Sequence, residues 1–118
     1  MMDTLIAGTA TDNGTDGADW HLKFNRALPD YYISESIALS KGWIKKLGNL
    51  NEVAPGTMFT GGIYKNKDCQ LPQIPGRVWF EADLNYTGGF RNSDRILFSN
   101  DGLIFVTYDH YETFIEIL

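Results

Sequence analysis

The chain has 118 residues, enough to bury one modest core and not two. Its hydrophobic content of 43% excludes a disordered chain, and no apolar run of about eighteen residues is present to form a membrane-spanning helix. The net charge of −5 excludes a surface built for tight, nonspecific grip on long nucleic acid, so basic groups that meet an anion must be focused in one cleft.

Residues 1–15 are rich in Thr, Gly, Asp and Asn and read as a flexible leader. Asp16 offers an N-cap for a helix running to about Ala27, with Trp20, Phe24 and Ala27 spaced for one buried face. Leu28-Pro29 ends it. Ser34 caps a second helix over Glu35–Lys41, closed by Gly42, and Trp43 follows as a core anchor. Asn49 caps a short third turn before Pro55-Gly56. Met58–Ile63 reads as a first strand, weakened by Gly61-Gly62, and a charged loop of Tyr64, Lys65, Asn66, Lys67 and Asp68 comes next. From Val78 onward strands dominate, in runs Val78–Tyr86, Arg95–Ser99, Leu103–Tyr108 and Phe114–Ile117. N-terminal helices packed on a C-terminal antiparallel β-sheet are the α+β pattern, in one domain over 16–118. Cys69 is the only cysteine, so no intrachain disulfide exists, and His21 and Cys69 are too few for a metal finger.

Asn100-Asp101-Gly102 separates two of the strand runs and signals a hairpin. With Asn100-Asp101 as a two-residue loop, Arg95 lies opposite Val106 and Arg91 opposite His110. With Asp101-Gly102, Arg95 moves opposite Tyr108 and Ser93 opposite His110. Either register puts Arg91, Arg95 and His110 on one face, because side chains alternate along strands. Only a three-residue loop breaks that parity. Leu97, Ile104 and Val106 would share the face as an apolar floor. Glu81 alternates with Val78, Phe80, Ala82 and Leu84 and points away from their apolar face. A carboxylate, a histidine and two arginines are sufficient for metal-free cleavage of RNA: the carboxylate takes the 2′-OH proton, the arginines hold the phosphate, and the histidine protonates the leaving 5′ oxygen.

The segments EADLNYTGGFRNSDRILFSNDGLI and YDHYETF resemble barnase-like guanyl-specific bacterial ribonucleases, the microbial ribonuclease group. LPDYYIS, ALSKGW, GNLNEVAPG and GGIYKNKD match in the same order, so the resemblance spans about Asp16 to Leu118. It implies the microbial ribonuclease fold. It also implies Glu81 as general base, His110 as general acid, Arg91 and Arg95 as phosphate clamp, and Tyr111 near base and sugar. The guanine-recognition loop falls on Tyr64, Lys65, Asn66, Lys67 and Asp68, where Asp68 stands for the family's usual Glu and Lys67 for its usual Arg. Two positions depart further: Glu35 where the family has a lysine, and Gly62 where it has an aspartate. An anion at position 35 predicts a slow enzyme for its family, unless Lys65 or Lys67 replaces the missing charge.

The implied function is RNA endonuclease cleavage 3′ of guanosine through a 2′,3′-cyclic phosphate, with no cofactor or metal. The alternative is a catalytically weakened ribonuclease-like domain that acts as a binding module. The resemblance implies an RNA substrate and a barstar-like acidic inhibitor protein as partner; the lack of a long apolar run adds the expectation of no membrane, and a monomer is expected. It implies a secreted protein, or a toxin domain delivered into a target cell.

Overall fold

The computed structural model describes residues 3–118, so Met1 and Met2, the start of the expected leader, lie outside the described residues. Three α-helices form: α1 (Ala18–Asn25), α2 (Glu35–Ser40) and α3 (Leu50–Val53). The strands are β1 (Thr4–Leu5), β2 (Tyr32–Ser34), β3 (Met58–Tyr64), β4 (Trp79–Asp83), β5 (Arg95–Ser99), β6 (Ile104–Thr107) and β7 (Ile115–Ile117). They form one seven-stranded sheet in the order β1-β7-β6-β5-β4-β3-β2. The expected α+β organisation is present. The sheet is mixed, however, because the short edge strands β1 and β2 pair in parallel with β7 and β3, around an antiparallel centre.

The first helix is shorter than its sequence signals. Asp16 ends a 3₁₀ turn, Gly17 takes the N-cap, and Arg26 leaves the helix in the left-handed region at φ 58°. The buried face is Ala18, Asp19 and Leu22 rather than Trp20, Phe24 and Ala27, and Phe24 is 60% exposed. Asp19 explains the rotation. Its buried carboxylate accepts the backbone N–H groups of Gly8 at 2.7 Å and Ala10 at 3.0 Å, so it must face the segment that precedes the helix.

That segment is the one read as a flexible leader, and it is packed instead. Leu5 and Ala7 lie against the core, Ala10 is buried, and Asp12 N–H donates to Asn85 Oδ1 at 2.9 Å. The Tyr108 hydroxyl donates to the Ala10 carbonyl. Its backbone is satisfied by side chains distant in sequence, which local composition does not reveal.

Ser34 does cap α2, accepting from Ile37 N–H at 3.4 Å, and Trp43 is 4% exposed among Ala38, Leu50, Ala54 and Phe59. Asn49 precedes α3 but does not cap it with its side chain; it accepts from Ile44 N–H and donates to the Gly42 carbonyl. On one side of the central strands, Ala82, Leu84, Ile96, Ile104 and Val106 pack against Ala18 and Leu22. The opposite side carries a second apolar group, Leu71, Trp79, Leu97, Phe105 and Phe114, and it also carries the charges.

The β5–β6 hairpin takes the three-residue loop. Arg95 pairs with Thr107, Leu97 with Phe105 and Phe98 with Ile104, leaving Asn100-Asp101-Gly102 as the connection. Gly102 adopts φ 99°, a conformation that favours glycine, while Ser99 and Leu103 close the loop through a 2.9 Å backbone bond. The parity argument for Arg95 and His110 therefore fails. Ile104 and Val106 face the helix, and the apolar floor beneath the charges is Leu97 and Phe105.

Candidate active site

Strand pairing places Glu81 beside Leu97 and Phe105, and places Asp83 beside Arg95 and Thr107, all on one face. Glu81 thus turns away from Ala82 and Leu84, as alternation predicts. On the β3 side Glu81 lies opposite Gly62, at a bulge between Thr60 and Gly62. A Cβ on Gly61 would stand 3.3 Å from Glu81 Cγ, so the close approach of β3 depends on glycine there. Gly62 itself sits at φ 79°. This left-handed bulge suits the glycine that stands where the resembled family has an aspartate.

Asp83 organises the two arginines. It is 1% exposed and accepts two parallel bonds from Arg91, Nε to Oδ2 and Nη2 to Oδ1, each 2.7 Å. Such a fork fixes both plane and position of the guanidinium. Arg95 is 4% exposed, and its Nη1 donates to the carbonyls of Asn92 at 2.7 Å and Asp94 at 2.8 Å. Its Nε stands 3.2 Å from Asp83 Oδ1, close enough for charge attraction but misaligned for a hydrogen bond. The Asp83 bonds hold Arg91 more firmly in its charged form, against the opposing effect of burial.

His110 and Tyr111 are set by the chain after β6, not by a strand. Both lie in the left-handed region, at φ 56° and 73°, which resets the direction of their side chains. Asp109 holds this segment. Its Oδ1 accepts from the Thr107 hydroxyl at 2.8 Å and Thr113 N–H at 2.9 Å, and its Oδ2 accepts from the Thr113 hydroxyl at 2.5 Å. Thr107 in turn accepts from Tyr111 N–H at 3.0 Å, and His110 N–H donates to the Ser93 carbonyl at 3.2 Å. The exposed His110 ring meets Tyr111 edge-on, with centroids 4.9 Å apart.

The Tyr111 hydroxyl donates to Glu81 Oε1 at 2.6 Å. Burial, reinforced by that bond and the Glu81 charge, pushes the phenol pKa well up, so the hydroxyl stays a donor. Its ring stacks on Tyr64 with centroids 5.3 Å apart and planes 8° from parallel. Tyr64 is likewise shifted upward, by burial first and then by Glu81 and Asp68, which places the loop carboxylate within electrostatic reach of the stack.

The loop after β3 borders a cavity of about 500 Å³ whose lining includes Tyr64, Lys65, Asn66, Lys67 and Trp79. The role of Asn66 in holding the loop is not visible in sequence. It is buried at φ 51°, its amide donates to the Leu71 carbonyl at 3.0 Å, and Leu71 N–H donates back at 3.2 Å. Its side chain is consumed in holding the loop, while Lys65, Lys67 and Asp68 remain exposed.

Glu35 is met by a residue that sequence reasoning did not single out. Lys45 Nζ lies 2.5 Å from Glu35 Oε2, so the negative charge expected there is paired. Asp109 was missed as well; the available signal was two threonines at hydrogen-bonding spacing, Thr107 and Thr113.

A family model described as ribonuclease matches residues 16–118. A ribonuclease of Heyndrickxia coagulans is 49% identical over 109 residues, covering 92% of this chain and 99% of that protein. Ribonucleases of Bacillus intermedius and Bacillus pumilus are each 49% identical, covering 92% of this chain and 67% of theirs. Among solved structures, ribonuclease Sa2 with guanosine-2′-cyclophosphate aligns at 29% identity and a TM-score of 0.44, over 50% of this chain and 63% of that one.

Proposed function

This chain belongs to the ribonuclease family, and we propose that it cleaves RNA on the 3′ side of guanosine by general acid–base chemistry. The observation that carries the reading is one sheet face bearing Glu81, held by the Tyr111 hydroxyl, together with two arginines anchored on Asp83. Glu81 takes the 2′-OH proton, and the freed 2′ oxygen attacks phosphorus to form a 2′,3′-cyclic phosphate. The 5′ oxygen leaves with a proton from His110. In the second step His110 takes a proton from water, the water oxygen opens the ring, and Glu81 returns a proton to the 2′ oxygen. Arg91 stabilises the charge that grows on the phosphoryl oxygens, while the buried Arg95 reinforces the positive field beneath it.

Guanine preference rests on the loop from Tyr64 to Asp68. Asn66 holds it in a fixed turn, which leaves backbone groups to address O6 and the exposed Asp68 to accept from N1–H and the 2-amino group. An aspartate reaches one carbon less than a glutamate, so the preference is weaker than a longer carboxylate would give.

The direct test is turnover of GpA. Glu81→Ala and His110→Ala should each lower kcat/KM by at least about 10²-fold with the fold intact by circular dichroism. Near-wild-type rates in either variant would remove that residue from its role, and loss of wild-type turnover in EDTA would point to a metal-dependent reaction. Comparing GpA, ApA and CpA in wild type and Asp68→Ala tests the loop. Equal wild-type rates reject base reading, and an unchanged preference in the variant rejects Asp68.

A further inference from the structure

We infer that Lys45 is a third phosphate-binding cation of the active site, held at its edge by Glu35 until substrate arrives; this deepens the ribonuclease reading and rests on it. Arg91 and Arg95 are opposed by Asp83 and, in its ionised form, Glu81. These four groups therefore cancel, which leaves His110, protonated to act as general acid, as the one uncompensated cation against the charge of RNA and the further charge of the transition state. Another cation at the cleft would offset that deficit.

Lys45 has the required place. Its ammonium stands 6.0 Å from the centroid of the Phe59 ring, and the Arg91 guanidinium carbon lies 4.7 Å from the same centroid. One buried ring is thus bordered by both cations. The ring also lies near Glu81, since the Cβ position of Gly61 is 3.6 Å from Phe59 and 3.5 Å from Glu81 Cδ. The ammonium also stands over Trp43, 5.3 Å from that ring's centroid, so two aromatic rings favour a positive charge there. Glu35 is the only carboxylate paired with Lys45 among the described residues.

The tie is loose enough to exchange. The Lys45 and Glu35 side chains are 54% and 52% exposed, so solvent screens their attraction. A lysine carries its charge on a flexible four-carbon stem and can trade a carboxylate for a phosphate without moving the backbone. Glu35 is then a positioning residue: it keeps Lys45 beside Phe59 and competes with substrate for it. Lys45 neutralises at position 35 the anion that would otherwise repel RNA, and it brings its own charge to the scissile phosphate held by Arg91.

The test removes both charges together. The double variant Lys45→Met, Glu35→Gln keeps the net charge of wild type, and Met keeps an unbranched side chain of similar length at position 45. It should lower kcat/KM on GpA about tenfold, the scale of one charge-assisted contact. With a single-stranded RNA as substrate it should also flatten the dependence of log kcat/KM on log salt by about 0.7, as one lost phosphate contact requires. Glu35→Gln alone should raise kcat/KM several-fold at low salt, and Lys45→Arg should retain the wild-type salt slope. A double variant that matches wild type in rate and slope overturns the inference, because an inert pair contributes nothing when both halves are neutral.

If wild type does not cleave GpA, the ribonuclease reading falls separately. Calorimetric binding of guanosine 3′-monophosphate then decides on Lys45. About tenfold weaker binding in the double variant sustains it; equal or absent binding in both proteins overturns it.

Discussion

The two faces of strands β4, β5 and β6 are built from neighbouring residues and do opposite work. Ala82, Ile96 and Val106 face α1 and are almost fully buried, held only by apolar contact. One residue away along the same strands, Glu81, Arg95 and Thr107 face the cleft and are held by directed bonds. A core tolerates exchange of shape for shape, whereas a polar site tolerates almost none, because each group holds its neighbour in place. Asp83 belongs to both regimes. It is as buried as the core, yet it anchors both arginines.

Asp83→Ala is therefore the change that should break the division. It leaves Arg95 buried without its counter-charge and should cost about 3–5 kcal/mol in urea unfolding. Activity should fall with it, since Arg91 loses the fork that aims it. Loss of activity with unchanged stability would show that Arg95 is satisfied by the Asn92 and Asp94 carbonyls alone.

Ile96→Ala tests the opposite face. Ile96 is 0% exposed, and its truncation should cost about 2–5 kcal/mol. Cleavage of GpA by the folded fraction should stay within about twofold of wild type, a change worth under 0.5 kcal/mol. A large loss of kcat/KM would mean that the two faces are mechanically coupled through β5.

The smallest effect sharpens the comparison at the edge of the cleft. The hydrogen bond from the Thr113 hydroxyl, then that from its backbone N–H, with further help from Thr107, lowers the Asp109 carboxyl from 3.8 to about 2. A carboxyl lowered on folding stabilises the protein fully above its ordinary value and ceases to do so as pH falls through the folded one. Asp109→Asn should accordingly flatten the fall of Tm between pH 3.8 and about 2. At neutral pH it should change Tm little and kcat/KM several-fold, because it loosens the turn that carries His110 and Tyr111. An unchanged acid limb of the Tm curve would remove Asp109 as the lock of that turn.

Much of this was legible before any coordinates. Alternation is a local property with a period of two, so Glu81 and Ala82 had to face opposite ways. Ser34 caps the helix that follows because its hydroxyl and the Ile37 N–H are three residues apart, a relation the chain writes into itself. The ordered motifs likewise carried the family, since each gathers the side chains of one site into a few short segments.

What the tertiary structure alone decided depends on partners far apart in sequence. The hairpin took three residues rather than two, which moved Arg95 opposite Thr107 and left His110 to be placed by a left-handed turn. Asp19 turned α1 by capturing the backbone of residues 8 and 10, and Asp83 gathered arginines from a loop and a neighbouring strand. Glu35 found its counter-charge ten residues away at Lys45. Carboxylates recur throughout this acidic chain, and any of them can pair in principle. Which one does is set by desolvation and distance, and those exist only once the sheet has closed.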